Sequence, residues 1–383
     1  MTQSASAPLL RLMNAQTVLE TVRRLRPVTR AEVARVTGMA KPTVSNVLQD
    51  LLDVGLVREV EPADGRPRQR GNAFETIPEA AFVFGLDVGG LHLRGALVDL
   101  DGEVRAREGV LHTGLGSAEL PHAVAELRDR LLDKAGVAAE RLEAAVVGVP
   151  GVVNPDNGRV WRLNPERVES YQIVESLEAS LGHPVRVEND VNLAAIGEQW
   201  RGLADDCDDF VFLSIGTGVG AGLVLRGELY RGRHGAAGEV DMPGDSESPA
   251  AHALLNFAQR HGLVVSSPEE IFTAARAGDA VAQAVVAEEA RRIAEYLIPI
   301  ARINDVELVV LGGGIGVHCQ DVVDDIRRHL RERVHYPPRL EISALGDTSV
   351  LTGALAVGVR DCAARLVSSR LARVPVPGTD TSG

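Results

Sequence analysis

The chain has 383 residues, of which 45% are hydrophobic and 3% aromatic, and its 53 acidic and 40 basic groups give a formal net charge of -13. This length and apolar content predict more than one globular domain and exclude a disordered or fibrous chain. The three cysteines, at positions 207, 319 and 362, are too widely separated for a disulfide framework or a four-cysteine zinc site. No apolar run approaches the roughly 18 residues of a membrane span and the N-terminus lacks a signal-peptide pattern, so we expect a cytoplasmic protein without membrane association.

Charge is distributed unevenly along the chain. Residues 1–76 carry 11 basic and 8 acidic groups, a net charge of +3, whereas the remaining residues carry a net charge of -16. A small basic module therefore precedes a large acidic one, and only the first suits a polyanionic partner.

Two short helices are predicted near the N-terminus. Apolar positions within residues 18–25 recur at helical spacing, and Asn14 is a candidate cap for that helix. Thr29 and Glu32 form a capping-box pattern, in which each side chain satisfies the free backbone N–H of the other residue. We therefore expect a second helix after Thr29, ending at Gly38.

A third helix is predicted to begin at Lys41. Positions 44, 47, 48 and 51 are apolar and form one stripe along it. Two short helices joined by a glycine turn are typical of a helix-turn-helix, whose second helix enters the major groove of double-stranded DNA. The alternative is that the three helices form a protein-interaction module, whose polar face is only solvated and does not contact DNA. The predicted DNA contacts lie opposite the stripe and are Lys41, Thr43, Ser45, Asn46 and Gln49.

A basic hairpin is predicted to follow the third helix. Residues 55–60 have the pattern of a strand, residues 65–70 form a basic loop, and a return strand is expected near Phe74. This arrangement is a winged helix. The narrow minor groove attracts inserted arginines, so Arg66 and Arg68 are the predicted wing contacts.

Several segments of this region resemble the N-terminal domain of ROK-family repressors: Thr-Arg-Ala-Glu-Val-Ala at 29–34, Thr-Gly-Met-Ala-Lys-Pro-Thr-Val-Ser at 37–45, Leu-Leu-Asp-Val-Gly-Leu-Val at 51–57 and Gly-Arg-Pro at 65–67. The resemblance implies a DNA-binding domain over residues 1–78. Ala40 departs from the pattern because the family usually has a capping serine there. Loss of an N-cap hydroxyl costs about 1 kcal/mol of helix stability.

A strand followed by a glycine loop and a second strand occurs twice in the rest of the chain. The first loop follows residues 82–86 and the second follows residues 210–214. Glycines directly after a strand let backbone N–H groups approach a phosphate, although turn geometry alone also favours glycine there. A third glycine cluster follows residues 308–311. The candidate nucleotide contacts, which we interpret as vestigial, are Asp87, Gly89, Gly90, Gly216, Thr217, Gly218 and Gly313.

The order of these loops resembles that of the ROK sugar kinases. Residues 147–151, with Asn164-Pro165 downstream, and residues 187–194 carry the same resemblance. The resemblance implies an α/β chain in which a two-lobed actin-like ATPase (sugar kinase) fold spans residues 79–373, and residues 374–383 are predicted to be a disordered tail. It also implies a sugar site. Asp190 would be the catalytic base of a kinase, and the alternative is that Asn189 or Asp190 only caps the next helix. The implied ligand contacts are Gly151, Asn164, Asn189, Asp190 and Glu239.

Three departures from the kinase pattern count against catalysis. The first glycine loop continues as Leu91-His92, where ROK kinases have threonine and lysine, which removes a hydroxyl donor and a cation. Met242 stands where the family has histidine, and residues 243–251 contain no cysteine where the family has its zinc ligands. We therefore expect no metal, no cofactor and no catalytic residue.

The sequence predicts a DNA-binding transcriptional regulator that represses genes of carbohydrate uptake or metabolism. Its expected partners are double-stranded operator DNA, a sugar or sugar-phosphate effector, and further copies of itself in a homodimer or homotetramer. Two alternatives remain open. One is an ATP-dependent sugar kinase with an appended DNA-binding domain, and the other is a constitutive DNA-binding regulator whose sensor lobe no longer takes a ligand.

Overall fold

The computed structural model describes residues 7–61, 72–112, 116, 119–164, 167–241 and 245–372. Among these residues no helix is both long enough and apolar enough to cross a membrane. The chain forms an N-terminal module and two larger lobes, each lobe built on a five-stranded sheet. This confirms the predicted fold class, a winged helix-turn-helix followed by a two-lobed α/β unit.

The N-terminal module has three helices and a three-stranded sheet in the order β1-β3-β2. Thr29 and Glu32 form the predicted capping box, since the Thr29 hydroxyl accepts from the Glu32 N–H at 3.3 Å and the Glu32 carboxylate accepts from the Thr29 N–H at 2.9 Å. The next helix ends at Gly38, which has the predicted left-handed conformation. The elements are α1 (Ala7–Leu25), β1 (Val28–Thr29), α2 (Arg30–Thr37), α3 (Lys41–Asp53), β2 (Val57–Val60) and β3 (Ala73–Thr76).

Helix α1 is longer than predicted. It begins at Ala7, so Asn14 lies inside the helix and does not cap it, and that prediction was wrong. The additional N-terminal turns expose Leu10 and Met13, and the buried stripe starts only at Ala15. Amphipathic periodicity therefore gave no signal for the true start of the helix.

Helix α3 begins without a side-chain cap. Ala40 has the extended backbone of an N-cap residue, but its methyl group accepts no hydrogen bond. Replacing Ala40 by serine is therefore expected to raise the free energy of unfolding by about 1 kcal/mol, because the hydroxyl would accept from a free N–H of the first turn. Chemical denaturation measures this. Ala40→Val, which adds bulk and no acceptor, is the control, and equal stability of the serine variant and the parent would contradict the prediction.

Lobe 1 is built on a sheet in the order β11-β7-β4-β5-β6. Strands β4, β5 and β6 form an antiparallel meander, and β7 and β11 extend the sheet in parallel. A smaller antiparallel sheet, β8 to β10, lies beside it. The elements are β4 (Phe82–Val88), β5 (His92–Asp99), β6 (Val104–Leu111), α4 (Leu120–Ala135), β7 (Leu142–Val149), β8 (Val152–Val153), β9 (Val160–Asn164), β10 (Arg167–Tyr171), α5 (Val174–Leu181) and β11 (Val185–Asn189).

Lobe 2 repeats the arrangement in a sheet of the order β14-β13-β12-β15-β16. An antiparallel hairpin, β12–β13, again joins parallel strands, β15 and β16. The predicted repeat of strand, glycine loop and strand is thus confirmed. The elements are β12 (Phe210–Ile215), β13 (Val219–Leu225), β14 (Glu228–Leu229), α7 (Ala251–Arg260), α8 (Pro268–Arg276), α9 (Ala280–Asn304), β15 (Leu308–Gly312), α10 (Gly313–Gly316), α11 (Val323–Arg333) and β16 (Arg339–Ile342).

Two helices, α6 (Asp190–Arg201) and α12 (Ser349–Leu371), cross each other at very short distance. A Cβ atom on Gly353 would lie 1.8 Å from the carbonyl oxygen of Leu193, and one on Gly197 would lie 2.3 Å from that of Ser349. Only glycine permits this approach. The backbones of the two helices are therefore in direct contact.

The C-terminal part of α12 completes the core of the N-terminal module. Val359, Leu366 and Leu371 are buried in the same apolar cluster as Leu19 of α1 and Leu48 of α3. The Arg370 guanidinium donates to the carbonyl oxygens of Val54, at 3.1 Å, and Ala80, at 3.0 Å. The module is thus packed onto the lobes through a common core.

Candidate functional site

The polar face of α3 points away from the core of the N-terminal module. The apolar stripe is buried, including Val44 and Leu48, whereas Lys41, Asn46 and Gln49 are exposed. Thr43 and Ser45 are half-buried. This is the arrangement expected of a helix that presents short polar groups to a DNA groove.

Two details modify the predicted DNA face. The Gln49 amide donates to the Asp53 carboxylate at 2.8 Å, so it must leave this bond before it contacts a base. Arg35, exposed in the last turn of α2, was missed by sequence reasoning and is a further candidate for phosphate contact. The predicted wing contacts Arg66 and Arg68 lie outside the described residues.

A cleft of about 270 Å³ lies between the two lobes. Its walls come from the ends of β4 and β12 and from the starts of α6, α10 and α12. Among the predicted residues it brings together Asp87, Asp190 and Gly313. The cleft also contains Arg94, Ser214, Asp347 and Ser349, which sequence reasoning missed.

The start of α6 positions Asp190. Asn189 caps the helix, because its side-chain oxygen accepts from the Asn192 N–H at 2.9 Å, while its amide donates to the Gly151 carbonyl at 3.0 Å. The capping alternative is therefore realised for Asn189, which also joins Gly151 to the helix start. Asp190 is the first residue of α6 and its carboxylate lines the cleft.

Two carboxylates of the cleft, those of Asp190 and Asp87, hold their protons more tightly than usual. Burial, together with the nearby carboxylates of Asp87 and Glu239, raises the pKa of Asp190 to about 7. Burial also raises the pKa of Asp87 to about 6, against the opposing effect of Arg94. Ionisable groups that titrate near neutrality in a cleft are typical of ligand or catalytic sites.

Arg94 occupies the centre of this acidic cluster. Its guanidinium lies 3.3 Å from a carboxylate oxygen of Asp87 and 3.3 Å from one of Asp347. The arginine stands on β5, whose following residues, Ala96 to Asp99, are buried. An arginine at the start of a mostly buried strand was the one signal in the sequence for this position.

The first glycine loop is held by a hydrogen bond between its own backbone groups. The Gly89 N–H donates to the His92 carbonyl at 2.9 Å, and Leu91 is 63% exposed at the tip. At the second lobe Gly313 has a φ of 77°, and a Cβ atom there would lie 2.5 Å from the Ile215 carbonyl oxygen. Glycine is required at this point, and it brings α10 against the end of β12.

The second glycine loop, Gly216 to Gly218, contacts a carboxylate that the sequence analysis did not single out. One oxygen of Asp241 accepts from the Val219 N–H at 3.2 Å, and the other accepts from the Ser248 hydroxyl at 2.8 Å. Thr217 is exposed beside them. This loop, the predicted phosphate site, therefore already has an acidic side chain bound to it.

The other two predicted ligand contacts are Glu239 and Asn164, and Glu239 is not among the described residues that line the cleft. Glu239 is exposed, and partial desolvation together with Asp241 raises the pKa of its carboxyl. Asn164 ends β9, but its side chain lies outside the described part of the chain. Within the described residues no three histidine, cysteine, aspartate or glutamate side chains form a group suited to a metal ion.

Comparison with protein families covers almost the whole chain. A model of the ROK family matches residues 83–241 and 248–360, and a model of the MarR family matches residues 13–67. The two matches correspond to the pair of lobes and to the N-terminal module.

Individual relatives share this architecture. The xylose repressor of Caldicellulosiruptor bescii is 24% identical over 92% of this chain and 97% of its own length. The crystal structure of a ROK family transcriptional regulator, a homologue of the Escherichia coli MLC protein, superposes with a TM-score of 0.80 at 21% identity and covers 95% of this chain and 100% of that one. The ROK hexokinase of Thermus thermophilus superposes with a TM-score of 0.61 at 29% identity, over 73% of this chain and 98% of that one.

Proposed function

Since the chain belongs to the ROK family and carries a MarR-type winged helix-turn-helix ahead of the kinase-like lobes, we propose that it is a transcriptional repressor of carbohydrate genes. In this proposal α3 binds operator DNA, and a sugar in the interlobe cleft controls that binding. The observation that carries the proposal is the common core of the N-terminal module and α12, because α12 also begins in the cleft.

A ligand changes DNA affinity only if it binds the DNA-competent and DNA-incompetent states differently. The fold offers a direct mechanical route for this difference. Both α6 and α12 begin at the cleft, at Asp190 and Ser349, and both reach the core of the N-terminal module, α6 through Trp200. Closure of the lobes around a sugar would shift this helix pair and so reorient α3.

The repressor is proposed to act as a homodimer or homotetramer. Two copies would place two α3 helices against half-sites about 34 Å apart along the DNA. A sugar-driven change in the position of each N-terminal module would then alter the spacing between the two helices. Loss of register at one half-site weakens the whole complex.

A sugar kinase is the second candidate, because Asp190 lies in the cleft with a pKa near neutrality, which suits a general base. We propose that the chain does not act as a kinase, since Leu91 is exposed at the loop tip where the kinases carry threonine, and Arg94 is paired with Asp87. Sugar-dependent ATP turnover on a broad hexose panel, lost in Asp190→Asn, would reverse this assignment.

The test of the proposed function is sequencing of genomic DNA fragments retained by the purified protein, with and without sugars and sugar phosphates. Enrichment of a shared, dyad-symmetric site, released by one ligand, is the expected result. A site that no ligand releases would favour the constitutive regulator. Absence of any enriched fragment would overturn the repressor.

A further inference from the structure

The carboxylate of Asp241, a side chain of the same protein, is bound at the second glycine loop. Asp241 accepts from the Val219 N–H at 3.2 Å, and its Oδ2 atom lies 3.3 Å from the position a Cβ atom of Gly218 would take. The carboxylate therefore lies directly on the loop. Backbone N–H groups of such loops are the donors that hold phosphate oxygens.

Asp241 is fixed in this position by further donors. The Ser248 hydroxyl donates to its other oxygen at 2.8 Å, and the Tyr296 hydroxyl lies 3.4 Å from the same oxygen. The Tyr296 hydroxyl also lies 3.3 Å from a carboxylate oxygen of Asp245, so the Val219 N–H and the Ser248 hydroxyl are the donors that stabilise Asp241 in this position. A phosphate group would have to displace it from the loop or approach it at short range.

The charges lining the cleft add to this effect. Asp87, Asp190 and Asp347 line it, and Arg94 is the one cation among the described lining residues. Arg94 is already paired with both Asp87 and Asp347. A phosphate group, which carries nearly two negative charges at neutral pH, would thus enter a site of net negative charge without a free cation.

We propose that Asp241 is an internal substitute for a phosphate group, which excludes nucleotides and sugar phosphates from the cleft and restricts its ligand to an unphosphorylated sugar. This inference rests on the proposed function for the identity of the ligand as a sugar. The exclusion of phosphate depends on the second glycine loop, which adjoins the cleft because a Cβ atom on Gly216 would lie 3.6 Å from the backbone nitrogen of Gly314, a lining residue. Sugar hydroxyls, in contrast, donate hydrogen bonds to carboxylates and suit such a lining.

The first test is calorimetric titration of the full-length protein with sodium tripolyphosphate in the presence of Mg²⁺. The parent is expected to bind tripolyphosphate only weakly. Asp241→Asn keeps the shape of the side chain and removes its charge, and we expect it to bind tripolyphosphate at least about tenfold more tightly than the parent. Asp245→Asn, which removes a nearby charge that the loop does not contact, is the matched control and should behave as the parent.

Equal tripolyphosphate affinity of the parent and Asp241→Asn would overturn the proposal, and so would an equal gain in Asp245→Asn. If Asp241→Asn fails to fold, as judged by circular dichroism, Asp241→Ala takes its place with the same expected gain. Neither titration requires operator DNA, so the result can be interpreted even if the protein proves not to be a repressor.

The second test compares ligands in the operator-release assay. Each of several hexoses and pentoses is offered beside its own phosphate ester at equal concentration. We expect a free sugar to release the parent protein from operator DNA, and we expect the phosphate ester of the same sugar not to release it. Release by an ester with no effect of the free sugar would overturn the restriction while leaving the repressor function intact.

Discussion

Replacing Asn46 by glutamate is expected to lower operator affinity by about a hundredfold or more, because a carboxylate in the middle of α3 would face base edges and phosphates in the major groove. Asn46 is exposed on the face opposite the buried stripe, so the fold tolerates the new side chain. Fluorescence anisotropy with a labelled operator, at one fixed salt concentration, measures the change. Because α3 keeps its core contacts, the thermal midpoint should remain that of the parent.

The matched control is Asn256→Glu, the same substitution at an exposed position of α7 in lobe 2. It adds the same charge to the chain far from α3 and should leave operator affinity within about twofold of the parent, since distant exposed charges are largely screened. Full operator binding by Asn46→Glu would show that α3 is not the recognition helix. Equal losses in both variants would point to net charge instead of a groove contact.

Replacing Asp190 by asparagine is expected to raise the sugar concentration needed for operator release by about a hundredfold, because a carboxylate bonded to sugar hydroxyls gives the stronger, charge-assisted hydrogen bonds. In the parent, sugar affinity should fall as the pH is lowered from 8 to 6, since the Asp190 carboxyl, with a pKa of about 7, takes up a proton. The asparagine variant should lack this dependence. Titration of the sugar at both pH values measures it.

The same substitution should make the ligand-free protein more stable at high pH. The pKa of Asp190 is about 7 in the folded state against an ordinary 3.8, so the folded chain binds this proton more tightly than the unfolded chain. Folding stability in the parent is consequently lost as the pH rises from about 4 to about 7, and is constant beyond it. Asparagine carries no such cost.

Chemical denaturation at pH 4.5 and pH 8 tests this expectation. Asp190→Asn should exceed the parent in stability at pH 8 and approach it at pH 4.5. Asp347→Asn, at the cleft rim with a side chain 69% exposed, is the control for general charge removal and should change stability little. A less stable Asp190→Asn at pH 8 would mean that the carboxylate stabilises the fold, in contradiction to its raised pKa.

Local signals in the sequence were sufficient to predict α2 and α3 of the N-terminal module. The capping box at Thr29 and the apolar stripe of α3 depend on residues a few positions apart, and both are confirmed. The start of α1 was missed because its first turns bury no apolar stripe. Hydrophobic periodicity reveals a helix only over the turns that bury an apolar face.

The cleft was only partly predictable for a different reason. Asp87 and Asp190 follow strands at recognisable motifs, whereas Asp347 lies far along the chain and is brought to Arg94 by the packing of the lobes. Asp241 directly precedes Met242, which replaces the histidine of the kinases. The hydrogen bond of Asp241 with the Val219 N–H forms only when the chain is folded, so the sequence did not reveal it. Contacts between distant segments leave no periodic trace in a single sequence.

The common core of the N-terminal module and α12 also sets the order in which the protein becomes functional during synthesis. The apolar faces of α1 and α3 leave the ribosome early, but Val359, Leu366 and Leu371, which are buried in the same cluster, are translated near the end. A truncated chain would leave exposed the apolar surface of α1 that packs against α12. Under the proposed function, chains translated through α12 are therefore expected to bind the operator better than incomplete products, which lack this packing.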